Sequence, residues 1–223
     1  MSARNRILAR VRKSLGVEAD DTSRSNRAAA RIAEHPPTLV PERAQKTTAE
    51  LLAQFRSFLE GQQATVVDVD QAADVPAAIG RYLEAAGLPP VLRMGNDARL
   101  AALAWSQADW LDVRQGAAEP GDRVGLSYAT AGISETGTLV VAAGGDNPVT
   151  LAFMPETHMI VVARDSIVGS YEQALEIIRA KFGASGMPRT LNYISGPSRT
   201  ADIGGRIVIG AHGPRRLCVI VTG

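Results

Sequence analysis

Three polar side chains in this chain sit in settings that suit chemistry. Glu135 lies in Thr130-Ala-Gly132-Ile-Ser134-Glu-Thr136-Gly137, a run of small and hydroxylated residues. A carboxylate there can act as general base or covalent nucleophile if burial raises its pKa, or it can cap backbone N–H groups in its own loop. Arg199 stands in Ser195-Gly196-Pro-Ser198-Arg-Thr200-Ala-Asp202. Its planar fork suits a carboxylate or phosphate, and the alternative is an ion pair with Asp202 that fixes the loop and binds nothing. His212, in Gly210-Ala-His-Gly213-Pro, can donate to a ligand or act as acid/base, or bond the carbonyls of its own turn. Glu156 and His158, in Pro155-Glu-Thr-His, complete the candidates.

Several sharper signatures are missing. No Gly-x-Gly-x-x-Gly follows a strand and opens a helix, and no Walker lysine motif occurs. Gly132-Ile-Ser134-Glu-Thr-Gly137 has one residue too many for a serine-hydrolase elbow and leads into a strand, where the elbow needs a helix. His35, His158 and His212 match no helical metal-ligand pair, and Cys218 is the only cysteine. A cysteine-ligated cluster and an internal disulfide are both ruled out. No cofactor is expected.

The elements that would position these residues read as strand–helix alternation from about Glu42 onward. Helical stripes run through Leu51, Leu52, Phe55, Phe58 and Leu59, through Val75, Ala78, Ile79, Leu83 and Ala86, and over 170–182. In the last, Ser170 and Gln173 are spaced for a capping box. Apolar, β-branched runs at 64–69, 90–94, 124–129, 138–142, 159–163 and 217–221 read as strands, and their spacing argues for parallel βαβ units. Leu191 to Ile194 and Ile207 to Ile209 read as two further strands, each ending in a Gly-Pro turn. Ligands of open α/β sheets sit beyond carboxyl strand ends, so the two turns are expected to meet there in one pocket around Arg199 and His212.

Residues 1–41 read as an arm. Ile7, Leu8, Val11 and Leu15 form an apolar seam among Arg4, Arg6, Arg10, Arg12 and Lys13, and Pro36, Pro37 and Pro41 impose an extended linker. The arm suits exchange within a homo-oligomer or contact with a partner. With 223 residues, 45% apolar content and a net charge of +1, the chain fits one α/β domain over 42–223 and offers no strong case for nucleic acid. The start lacks the apolar segment of a secretory signal, and no apolar window nears the ~20 residues that span a bilayer. A cytoplasmic, non-membrane protein is expected.

Taken together, Ala131-Gly-Ile-Ser-Glu-Thr-Gly-Thr-Leu-Val, Pro155-Glu-Thr-His-Met-Ile-Val-Val, Ser195-Gly-Pro-Ser-Arg-Thr-Ala-Asp-Ile and Gly210-Ala-His-Gly-Pro resemble the LUD-domain family. The likeness is to the small C-type proteins of bacterial L-lactate utilization systems. Two positions depart from the family pattern. Gly204 stands where an acidic residue is usual, which removes a carboxylate beside the proposed site, and Ala211 stands where valine is usual. The resemblance implies a Rossmann-like three-layer αβα sandwich, similar to ribose-phosphate isomerase, glucosamine-phosphate deaminase and the CoA transferases. It also implies work in a system that oxidises L-lactate to pyruvate with iron–sulfur partner proteins, to which electron transfer would fall. The candidate ligand residues are Thr130, Gly132, Ser134, Thr136, Gly137, Ser195, Gly196, Ser198, Arg199, Thr200, Asp202 and Gly213, with Glu135 and His212 as candidate acid/base groups. A free-standing enzyme using Glu135 for CoA transfer or sugar-phosphate isomerisation is the rival expectation.

Overall fold

The computed structural model describes residues 2–18, 21–36, 38–183, 186–203 and 205–223, with the backbone alone at 201–203. Two units are distinct, residues 1–39 and residues 40–223. The first holds helices α1 (Ala3–Leu15) and α2 (Thr22–Glu34), neither of which buries a side chain. Where α2 stands, the sequence from Glu18 to Arg31 reads as polar and alanine-rich, with few large side chains and no assigned helix. Its helix is supported locally, by the Asp21 side chain accepting from the Ser23 N–H and by the alanine run Ala28–Ala29–Ala30.

The second unit runs in order α3 (Thr48–Gly61), β1 (Thr65–Val69), α4 (Val75–Ala85), β2 (Val91–Met94), α5 (Ala98–Ala101), β3 (Asp112–Gln115), β4 (Val124–Tyr128), β5 (Ala131–Ile133) and β6 (Thr138–Ala142). It continues with β7 (Thr157–Ala163), β8 (Ile167–Val168), α6 (Tyr171–Phe182), β9 (Leu191–Ile194), β10 (Arg199–Ile203), β11 (Arg206–Ile209) and β12 (Arg216–Thr222). β1, β12, β7, β4, β2 and β3 form, in that order, a sheet whose neighbouring pairs are all parallel. The α/β class expected from the sequence is the class observed.

Period-two alternation decides which side chains meet which layer. Met159 and Val161 of β7, with Cys218 and Ile220 of β12, join Val75, Ile79 and Leu83 of α4 and Leu100 of α5 on one face. Ile160 and Val162, with Leu217, Val219 and Val221, join Phe55 and Leu59 of α3 and Leu139 and Val141 of β6 on the other. Burial of each of these large side chains is worth up to about 1.5–3 kcal/mol, so the strands are fixed in register by both faces at once.

The second face differs in detail from a plain helical layer. Between α3 and α6 lies a four-stranded sheet in the order β8-β5-β6-β9, whose outer side packs Ala131, Ile133 and Val140 on Ala174 and Ile178 of α6. α6 opens with the capping box suggested by its sequence, Gln173 N–H donating to Ser170 Oγ and Ser170 N–H to Gln173 Oε1. α3 carries a second box, made by Thr47 and Glu50.

Candidate functional site

The Ser134-Glu-Thr-Gly137 turn joins β5 to β6 beside α3 and the start of α6. Ser134 is fully buried, its hydroxyl donating to the Leu51 carbonyl at 2.7 Å and accepting from Gln54 Nε2 at 3.1 Å. A hydroxyl proton committed to a carbonyl is not poised for transfer to a base. Gly137 holds φ +61°, and a Cβ there would stand 2.5 Å from Phe58 Cβ, so the turn presses directly on α3. Gly132 lies over the Phe55 ring. Glu135 is buried, with Oε1 accepting from the Tyr171 N–H at 3.3 Å and Oε2 lying 3.5 Å from Arg43. Its carboxylate therefore caps the first turn of α6, a partner in another element of the chain, where an anion also meets the helix dipole favourably.

From Glu135 a run of hydroxyls continues outward. Thr136 Oγ1 bonds Thr138 Oγ1 at 2.8 Å and the Tyr171 hydroxyl at 3.1 Å, and Thr138 Oγ1 bonds Ser195 Oγ at 2.7 Å. The Tyr193 ring lies 5.8 Å from that of Tyr171, and its phenol is pushed up first by burial and then by Tyr171. The structure thus unites the Glu135 turn with the Ser195 turn. Each hydroxyl can donate or accept, so this belt can hold a small oxygen-rich ligand or share protons along its length.

Farther along, the second motif wraps the end of α3. Gly196 packs on Gln62, and Arg199, exposed, donates from NH2 to the Gln62 carbonyl at 2.8 Å. Ser198 is tied to the last Gly-Pro turn through its N–H to the Pro214 carbonyl and its carbonyl to the Gly210 N–H, and Gly213 lies against its side chain. Thr200 pairs with Val208 in the β10–β11 hairpin. The side chain of Asp202, and Gly204, lie outside the described residues.

The two Gly-Pro turns do meet, but not beyond the carboxyl ends of the central strands. Among the described residues β9 pairs with β6 in the small sheet and β11 with β10 alone, so neither preceding run belongs to the parallel sheet. The second turn instead precedes β12 at the amino edge. There Glu156 binds Arg123 at 3.0 Å and Arg216 at 2.6 Å, and these guanidinium groups, Arg123 first, hold its carboxyl below the usual range. Exposed His212 rims a groove of about 440 Å³ with Phe153, Met154 and Glu156. His158 is separate from it. Buried on β7 with Nε2 2.9 Å from Ser127 Oγ, it is depressed to about 3 by desolvation and stays neutral.

At the opposite edge is a feature the sequence reading missed. After β2 the chain crosses to the α4 face, whereas after β4 it crosses to the α3 face, so these adjacent strands part at their carboxyl ends. The Gly144–Pro148 loop closes over the gap: Asn96 N–H donates to Gly145 O, and buried Asn147 Oδ1 accepts from the Tyr128 N–H. A Cβ on Gly95 would stand 2.0 Å from the Asp146 carbonyl, so only glycine permits this closure. Asp97 binds Arg99 through both oxygens, and the Arg99 guanidinium stacks 3.7 Å from the Tyr128 ring centroid. On its β6 side the loop, with Asp146 and Asn147, lines a crevice of about 230 Å³ together with Thr130, Ala142 and the last turn of α6 at Lys181 and Phe182. Thr130 is the one sequence candidate at this edge. Gly-Gly-Asp-Asn-Pro is readable as a turn, but its position over a strand divergence depends on sheet order.

The LUD domain family model matches residues 43–222, which is most of the chain. The chain belongs to the LUD-domain family. A relative from Deinococcus radiodurans named Lactate utilization protein C is 34% identical over 201 residues, covering 84% of this chain and 86% of that protein. Proteins of the same name from Anoxybacillus flavithermus and Bacillus subtilis are 35% and 36% identical, but in each this chain spans less than half the relative's length, 43% and 42%. The crystal structure of a DUF162 family protein from Deinococcus radiodurans is similar with a TM-score of 0.61 and 28% identity, over 80% of this chain and 99% of that one. The matched span of this LUD domain holds every candidate named above and leaves out α1 and α2. Among the described residues no group of three or more His, Cys, Asp or Glu is arranged to hold a metal, and no helix is long and apolar enough to cross a membrane.

Proposed function

We propose that this LUD-domain chain serves bacterial L-lactate utilization as a non-redox subunit beside iron–sulfur proteins, and that it binds a small carboxylate. The observation that carries this reading is the likeness to Lactate utilization protein C of Deinococcus radiodurans along 84% of the chain. The donor set agrees with it. Cys218, the single cysteine, is buried in β12, so this chain has no thiolates to ligate a cluster and electron transfer falls to partners. In this reading the exposed Arg199, Arg215 and His212 at the amino edge, together with the arm at residues 1–41, face partner proteins in the cytoplasm. Deleting the gene in its host tests the role. Growth on L-lactate is lost and restored by the gene in trans, while growth on glucose is unchanged; undiminished growth on lactate overturns it. The tagged full chain retains cysteine-rich partners on purification, and removal of residues 1–41 releases them.

A rival reading is favoured by one feature, the buried Glu135 carboxylate next to the hydroxyls of Thr136, Thr138, Tyr171 and Ser195. Such a group could serve as nucleophile in CoA transfer or as base in sugar-phosphate isomerisation. Turnover by the isolated chain that Glu135→Gln abolishes supports this version, and turnover that survives the substitution sinks it.

A further inference from the structure

We infer that β3, the last strand of the parallel sheet, is a contact between two copies of this chain, paired antiparallel about a two-fold axis at Val113. β3 pairs with β2 on one side, and among the described residues no strand pairs with the other. The Asp112 N–H donates to the Pro90 carbonyl and the Gly116 N–H to the Met94 carbonyl, so alternate residues turn their backbone groups toward β2. Those of Val113 therefore point outward. Gln115 also faces outward, but its carbonyl accepts from Arg93 at 3.2 Å. Val113 is left with both its N–H and its carbonyl open to a new strand, and such an edge is a template for pairing.

The charges beside Val113 select a second copy as the occupant. Asp112 and Arg114, both half exposed, bind each other at 2.7 Å on one face of β3. A two-fold axis at Val113 lets the two Val113 residues exchange both backbone bonds. It also sets Asp112 opposite Arg114 of the second copy, and Arg114 opposite Asp112 of the second copy. These flanking positions are the non-hydrogen-bonded ones of an antiparallel ladder, where Cα atoms stand only about 4.5 Å apart and opposite charges attract. Edge strands that resist pairing carry lysine or proline; β3 has neither, and its two charges are opposite in sign and symmetric about Val113. Four residues alone make a small contact, and the flank enlarges it. Trp110, 46% exposed, lies over Gly80 of α4 and walls a groove of about 490 Å³ with Leu88 and Pro90. The same register runs Gly116 and Ala117 of the second copy past that ring, and their small side chains permit a close approach. The contact is isologous and joins two six-stranded sheets into one.

Sedimentation velocity of the full chain, from about 1 to about 100 μM, tests the contact. The parent associates to a dimer across this range. Arg114→Asp sets like charges opposite each other twice in each dimer and weakens association about tenfold or more, and Asp112→Arg does the same. Mixed in equal amounts, these two variants associate with each other, because each supplies the sign that the other lacks. Asp112→Arg and Arg114→Asp combined in one chain restore the self-association of the parent. A second readout needs no substitution: exchange of the Val113 amide hydrogen slows as the parent is concentrated, while that of Asp112, already bonded to Pro90, changes little. A parent that is still monomeric at about 100 μM overturns the proposal. So does a dimer that Arg114→Asp leaves equally tight, or one whose Val113 amide exchanges at the same rate at every concentration, since such a dimer is built on another surface.

Discussion

Glu135→Ala and Glu135→Gln separate the structural and chemical roles of one carboxylate. The alanine variant strips the Tyr171 N–H of its acceptor, and a buried donor without a partner costs about 1–3 kcal/mol. Removing an anion from the first turn of α6 adds about 0.3–1 kcal/mol. The contact with Arg43 adds at most about 1 kcal/mol, because that arginine is 58% exposed and screened by water. The expected loss is about 1–5 kcal/mol for alanine. Glutamine keeps an oxygen facing Tyr171 and forfeits only the charge, for about 1 kcal/mol. Equilibrium urea unfolding at neutral pH, followed by far-ultraviolet circular dichroism, reads both values. An alanine variant within about 0.5 kcal/mol of the parent refutes the capping role, since a surface change alone falls in that range.

Gly137→Ala places a Cβ 2.5 Å from Phe58 Cβ at a backbone φ of +61°, and is expected to cost more than about 1 kcal/mol in urea unfolding, whereas Gly61→Ala, which meets open space, does not destabilise. His158 titrates near 3 when folded and 6.5 when unfolded, so below pH 6.5 the unfolded chain binds the extra proton. Its contribution leaves stability untouched above that pH and lowers it by up to about 1.4 kcal/mol per pH unit as pH falls toward 3. His158→Gln flattens this limb of the stability–pH profile, and an unchanged slope contradicts the assignment. Burial pushes the Cys218 thiol up to about 12, so Ellman's reagent leaves the native chain unlabelled at neutral pH and modifies it fully in guanidinium.

Legibility in the sequence followed the range of the interactions. α6 was readable because its inner face and its capping box are local, within a few residues of Ser170. β7 was readable as an unbroken apolar run, and the structure buries it from both sides. The runs at Leu191–Ile194 and 207–209 were equally strand-like, yet nothing local states which sheet a strand will join. β9 pairs with β6 and β11 with β10, and those pairings carry the Gly-Pro turns away from the expected edge. Glu135 shows the same limit. That it could cap backbone N–H groups was readable; that the capped group is Tyr171, on another element, was a matter of tertiary packing.

Two of the four strings that make the family recognisable converge on one surface. Ser134 contacts Leu51 and Gln54, Gly137 presses on Phe58, and Gly196 and Arg199 meet Gln62. Positions 51, 54, 58 and 62 follow one face of α3 and its cap, at helical spacing. Much of the motif is therefore explained by fastening that helix across the β5–β6 turn and the end of β9, a task that demands glycine at close approaches and a hydroxyl or guanidinium at exposed carbonyls. Distinctive sequence and strand topology need not coincide. The loop at the other edge, fastened at Asn96 and Tyr128, is a Gly-Gly-Asp-Asn-Pro turn of ordinary composition. Its signal lies in the order of the strands, which turns an ordinary pair of neighbours into a point of divergence.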